Sequence, residues 1–275
     1  MSRHLQAEWG TTVSLDLFFG GAGAGLLGCY LPMAARDGYR GLSVPVIVAG
    51  VALVLLGLLL LASELGRPAN GLRSLANRES SWMARGAIFN LALIAAALLL
   101  IVGQAAGLQL LVPWAAAFTV LCSALVAAYP GFLLFSAKDI RLWRSRSLPW
   151  LMFFYSLMSG LSLLVLADSA LGLGMKASLR PATLAVMLPV TILFAVFWGK
   201  SWRRLGRQLP AFVIGAVVLG IVLPIIFYAY AAFAYDAQLP MVLGSTSFLA
   251  GAFCLRYFVV TAARHEPLTF LAKRS

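Results

Sequence analysis

The chain has 275 residues, 62% of them hydrophobic and 11% charged, with a net charge of +12. Its mean hydropathy of +0.93 excludes a soluble protein with one packed core, because that much apolar surface needs lipid as part of its solvent. The positive balance fits membrane topology and attraction to anionic lipid, and nucleic acid is excluded as the expected partner.

A bilayer core of about 30 Å takes about 20 helical residues per crossing. Apolar stretches of that length run near 12–35, 42–65, 86–107, 110–136, 148–170, 182–199, 209–235 and 239–262. The expectation is an all-α membrane protein with about eight transmembrane helices, and no segment between them is long enough for a soluble domain. The first span carries Asp16 without a basic leader or a small-residue cleavage site, so it reads as a retained helix. Its run Gly20-Gly21-Ala22-Gly23-Ala24-Gly25 with Gly28 holds a Gly-x-x-x-Gly spacing, which suits close helix packing or a slot for a flat ring or an isoprenoid tail.

Charge sets the orientation. Sixteen of the 21 Lys and Arg fall on one side of the eight spans, and only Arg36, Arg40, Lys176 and Arg180 fall on the other, with Arg256 inside the last span. The positive-inside rule then puts both termini on the same, cytoplasmic side. The longest polar connection, 66–85, lies on the basic face, where Arg67, Arg73, Arg78, Trp82 and Arg85 form an expected docking surface with Lys138 and Arg141 of a later loop. A plain connector is the other reading of that loop.

Cys29, Cys122 and Cys254 stand singly in three spans, and His4 and His265 lie outside all of them. Neither a metal site, an iron–sulfur cluster nor a haem held between membrane helices is expected from such a set. Electron chemistry in this chain therefore needs a diffusible carrier.

Ionisable groups inside a membrane are costly and point to function. Asp16, Tyr129 and Arg256 lie within roughly 10 Å of the basic face at 1.5 Å per residue, and Glu64 closes the second span on that face. Acid, phenol and guanidinium at one depth suit a small polar headgroup with a lipid tail. A quinone has these properties: Tyr129 would donate to a carbonyl, and Asp16 or Glu64 would exchange protons. The competing readings are that Arg256 snorkels or pairs with Asp16, that Glu64 is a solvated boundary charge, and that Asp168, near the opposite face, is an interfacial carboxylate. Pro130, Pro189 and Pro224 are expected to bend their spans.

The order Trp9-Gly10, Leu15-Asp16-Leu17-Phe18-Phe19-Gly20-Gly21, Glu64-Leu65-Gly66-Arg67-Pro68, Ser80-Ser81-Trp82-Met83, Tyr129-Pro130-Gly131-Phe132 and Leu255-Arg256-Tyr257 resembles NrfD/PsrC-type membrane subunits, relatives of the dimethyl-sulfoxide-reductase anchor. The resemblance covers nearly the whole chain. It implies two four-helix bundles, 1–136 with the quinone pocket and the docking loop and 137–275 without it. It also implies no haem, a menaquinone or ubiquinone as redox partner, a ferredoxin-like iron–sulfur subunit and a molybdopterin catalytic subunit, in a bacterial or archaeal cytoplasmic membrane. Position by position, Tyr129 matches the quinone-contacting tyrosine, and Asp16 with Gly20 falls in the first-span region of the pocket. Glu64 stands where one branch of the family carries a histidine.

The resulting expectation is a membrane anchor passing two electrons between the quinone pool and an iron–sulfur protein, with Asp16, Glu64 and Tyr129 handling protons and Asp16, Gly20, Tyr129 and Arg256 binding the ring. A secondary transporter or channel is the alternative, and it calls for repeated halves with broken helices at the midplane. A purely structural tether is the third reading.

Overall fold

The computed structural model describes residues 10–39, 42–64, 82–137, 140–202, 209–233 and 238–261. Among these, every regular element is helical, and eight helices are long and apolar enough to cross a membrane. They are α1 (Thr11–Ala34), α2 (Val44–Glu64), α3 (Trp82–Ala105), α4 (Leu111–Ser136), α5 (Leu148–Leu171), α6 (Lys176–Ser201), α7 (Leu209–Phe233) and α8 (Gln238–Thr261). Short 3-10 turns cover Ala35–Asp37 and Arg141–Arg144. In lipid the backbone must satisfy its own hydrogen bonds, which makes a helix the only open choice for these apolar runs.

Two helices begin earlier than hydropathy suggests. α3 starts at Trp82 and takes in Arg85, and α6 starts at Lys176 and takes in Arg180 and Pro181. Long basic side chains reach back to the interface from within a helix, so a charge near its end does not stop it. α1 closes through Gly38, left-handed at φ 60°, and α5 closes through Gly172 at φ 64°, whose N–H donates to Asp168 O at 2.9 Å. The Asp168 carboxylate accepts from Met175 N at 2.9 Å and so ties the turn between α5 and α6. Buried Asp168 is therefore held by backbone at the far end of α5.

α1 is the most enclosed span and packs on α2, α4, α5 and α8. Its glycines make this possible. Gly25 and Gly160 of α5 meet backbone to backbone: a Cβ on Gly160 would stand 1.9 Å from Gly25 C, and a Cβ on Gly25 would stand 1.9 Å from Ser156 O and 3.2 Å from Gly160 N. A Cβ on Gly23 would come within 2.6 Å of Gly50 O on α2. Small residues at such crossings allow the close packing that drives helix association where lipid removes the hydrophobic drive. Further along, α4 meets α5 at Gly131 and Pro149, and α7 meets α8 at Gly220 and Gly251. Large apolar residues such as Leu59, Leu98, Leu188 and Ile214 face outward, as a lipid-facing surface requires.

α7 is not a regular α-helix throughout. Val213–Val222 is a π-helix between the α-helical segments Leu209–Phe212 and Leu223–Phe233. Below it Tyr228 Oη lies 3.3 Å from Ser162 Oγ of α5 and 3.1 Å from Ser245 Oγ of α8, a buried hydroxyl trio that fixes the lower half of α7.

Replacing Gly160 by Val is expected to cost about 3 kcal/mol or more, because the added branch meets backbone that has no side chain to move. Gly199 has nothing within 4 Å of its Cβ position, and Gly199→Ala should change the unfolding temperature of the detergent-solubilised protein little. Equal shifts for the two variants would contradict the packing described.

Candidate functional site

Three helices bring polar side chains together at one depth. Asp16 lies five residues into α1, Asn90 eight residues into α3, and Tyr129 seven residues before the end of α4. At 1.5 Å per residue these are roughly 7–12 Å beneath the ends of helices that share one face. All three side chains are buried, each 2% exposed.

Glycines form the walls. The Asp16 carboxylate packs over Gly57 of α2, with Oδ1 3.2 Å from where a Cβ would stand, and the same Cβ would be 2.9 Å from Gly20 N. The Tyr129 ring lies against Gly86 of α3, whose Cβ position is 2.5 Å from Cε2. Asn90 Oδ1 is 4.0 Å from the Cβ position of Gly20. A Cβ at Gly57 or Gly86 would collide with the first-span backbone or the Tyr129 ring, whereas one at Gly20 would make only ordinary contact with Asn90.

The polar atoms are incompletely paired. Asn90 Nδ2 donates to Gly86 O at 2.8 Å, one turn back in its own helix. Asn90 Oδ1 and Asp16 Oδ2 have no hydrogen-bond partner. The Tyr129 phenol interacts with the Asn90 side chain and lies within electrostatic range of Asp16, although Asn90 Oδ1 falls outside regular hydrogen-bond geometry. Buried acceptors without donors cost free energy. They are therefore open positions for a ligand's hydroxyl or for a proton.

Arg256 shares the depth of this group but not its side of α1. At about 100° per residue, Gly20 stands about 40° round the helix from Asp16, whereas Gly21 and Phe18 stand about 140° and 200° round. Arg256 meets the second pair. Its guanidinium lies 5.7 Å from the centre of the Phe18 ring, and Nη2 is 3.0 Å from the Cβ position of Gly21. Nη2 donates to Ser156 Oγ at 3.2 Å and Nη1 to Ala252 O at 3.3 Å. The structure thus brings Asp16, Gly20 and Tyr129 together and sets Arg256 behind them.

Glu64 is the last residue of α2, on the expected face, and Arg141 opens a 3-10 turn; the side chains of both lie outside what the structure describes, as do Arg67, Arg73, Arg78 and Lys138 entirely. Of the expected docking residues, Trp82 and Arg85 are described. Trp82 stacks on Phe132 with ring centres 5.2 Å apart, and Arg85 lies 5.0 Å from the Trp82 ring. This stack sits one helical turn nearer the basic face than the Gly86–Tyr129 contact. Among the described residues no group of three or more His, Cys, Asp or Glu side chains is placed to hold a metal ion.

Asn90, Gly57 and Gly86 are not evident from ionisable residues alone. Asn90 carries a readable signal, as the lone amide in the middle of its apolar run. The two glycines carry none, because their role depends on which helix faces them.

The fold and this site define a helical, multi-span membrane protein with an acid, an amide and a phenol enclosed near one face. A family model described as polysulphide reductase, NrfD, matches residues 2–266, and the chain belongs to the NrfD family. Comparison with curated proteins finds no match.

An enclosed carboxylate lacking a full set of donors is a burden on the fold, and an isosteric amide lessens it. Asp16→Asn is expected to raise stability by about 1 kcal/mol, measured as thermal unfolding of the purified protein. A loss of similar size would mean that the carboxylate is held by a partner.

Proposed function

We propose that this chain is the membrane anchor subunit of an oxidoreductase complex and exchanges electrons and protons with the quinone pool at the Asp16–Asn90–Tyr129 site. The observation that carries this reading is the set of enclosed polar atoms with vacant hydrogen-bonding capacity, walled by glycine, in a member of the NrfD family. A quinone ring is flat and presents two carbonyl oxygens, and its isoprenoid tail is at home in lipid. The Tyr129 hydroxyl can donate to a carbonyl, and the Asn90 and Asp16 oxygens can accept from a quinol hydroxyl.

Interconversion of quinone and quinol moves two electrons and two protons. The electrons pass to or from an iron–sulfur subunit on the basic face, and the protons pass through Asp16 and Tyr129, with Glu64 as the further exchange group at the end of α2. Menaquinone and ubiquinone both fit this chemistry. Partners of this kind would be a ferredoxin-like iron–sulfur subunit and, beyond it, a molybdopterin catalytic subunit, docked through Arg67, Arg73, Arg78, Trp82, Arg85, Lys138 and Arg141. On this reading the spans form two four-helix units, α1–α4 with the site and α5–α8 behind it, in a bacterial or archaeal cytoplasmic membrane with cytoplasmic termini.

Asp16→Asn and Tyr129→Phe are expected to lower quinone-linked turnover of the assembled complex by about 100-fold or more, the usual worth of a positioned acid or base. Activity of the same preparations with a soluble dye should stay unchanged. Full quinone turnover in both variants would refute the site.

A further inference from the structure

α1 separates two buried polar groups and places only backbone between them. On one side Asn90 and Asp16 approach Gly20, and on the other the Arg256 guanidinium and Ser156 Oγ lie against Gly21, 3.0 and 2.6 Å from its Cβ position. No side chain at 20 or 21 widens the gap. The distance from guanidinium to site is then about the width of one helix, roughly 10 Å.

Arg256 is itself unusual. It is 1% exposed, so it does not snorkel to the interface as a membrane arginine commonly does. Its neighbours among the described residues are all neutral: Ala252 O and Ser156 Oγ accept its hydrogen bonds, the Phe18 ring lies beside it, and the Tyr155 phenol is within electrostatic range. Nε has no partner, and neither has the hydroxyl of fully buried Tyr155. A guanidinium keeps its charge in proteins, and an enclosed charge without an opposite one is expensive. Its field is consequently little screened on the α1 side.

We infer that Arg256 is the counter-charge of the quinone site: acting across Gly20 and Gly21 of α1, it makes the site favour a ring bearing negative charge over a neutral ring of the same shape. The inference rests on the quinone reading and adds an electrostatic element to it. Electrons added to a quinone leave negative charge on its oxygens until Asp16 and Tyr129 deliver protons, and a fixed positive charge one helix away lowers the energy of that arrangement. With an effective dielectric constant of about 20, a unit charge about 10 Å away shifts such an equilibrium by roughly tenfold. Arg256 thereby acts without touching the ring, as a positioning residue.

The test compares two small naphthoquinones as competitive inhibitors of quinone-linked turnover by the assembled complex. 2-Hydroxy-1,4-naphthoquinone is an anion at neutral pH, and 2-methyl-1,4-naphthoquinone is neutral and of similar shape. The wild type should bind the anion more tightly than the neutral ring. Arg256→Gln, which keeps hydrogen-bonding capacity, should weaken the anion roughly tenfold and the neutral ring less than about twofold, while Arg256→Lys, which keeps the charge, should restore most of the preference. The share of dye-linked activity that stays with the membrane fraction reports whether each variant assembles. Equal weakening of both probes in Arg256→Gln would mean a merely structural role, and a wild type that binds the neutral ring better would overturn the inference without any variant. If neither probe competes in the wild type, the quinone reading falls, and the counter-charge with it.

Discussion

The contact between Gly25 and Gly160 governs the arrangement of the other elements. Lipid surrounds the helices with material as apolar as their own side chains, so only close packing and polar contacts draw them together. Backbone against backbone brings α1 close to α5, and its other faces then meet α2, α4 and α8. Glycine weakens an isolated helix by about 1 kcal/mol each relative to alanine. Inside a bilayer that weakness matters less, because an unfolded stretch would leave its peptide groups unsatisfied.

The same helix explains why the polar residues form two groups. Asp16 faces Gly57 of α2, and Phe18 and Gly21 face α5 and α8. Each group keeps acceptors or donors unpaired in a place where pairing would be the stable choice. Proteins carry such costs mainly where function needs them. Many hydroxyls elsewhere in the spans are satisfied locally, as where Ser159 donates to Tyr155 O at 2.7 Å and Thr119 to Ala115 O at 2.7 Å, while Ser123 Oγ and Gln104 Oε1 are further buried atoms without a partner. What distinguishes the two groups is that several such atoms gather at one depth around α1.

Eight spans and the depth of Asp16, Tyr129 and Arg256 are legible in the sequence because hydropathy and residue counting measure position along a helix. Position around a helix is harder to read. Arg256 has the depth of Asp16 yet faces the other way, and only the identity of the neighbouring helices decides that. Asn90 escapes a reading centred on ionisable groups, although an amide amid leucines and alanines marks itself. Gly57 and Gly86 are unreadable as site residues, since a missing side chain acquires meaning only from what fills the space. The starts of α3 and α6 are displaced for a different reason, because Arg85, Lys176 and Arg180 look like loop residues until their long stems are allowed to reach the headgroups.

The wide helical segment of α7 makes residue number, and not only residue type, a structural variable. Within Val213–Val222 the chain winds more slowly than in the helices above and below, so the two ends of α7 are offset in rotation by an amount fixed by how many residues the segment holds. Loss of one residue without rewinding of the segment would turn everything after it by most of a quarter turn, somewhat less than the α-helical value of about 100°, and carry the Tyr228 hydroxyl away from both Ser162 and Ser245. In an alignment of relatives, a single-residue gap at this place would thus mark a rotated helix rather than a shortened one.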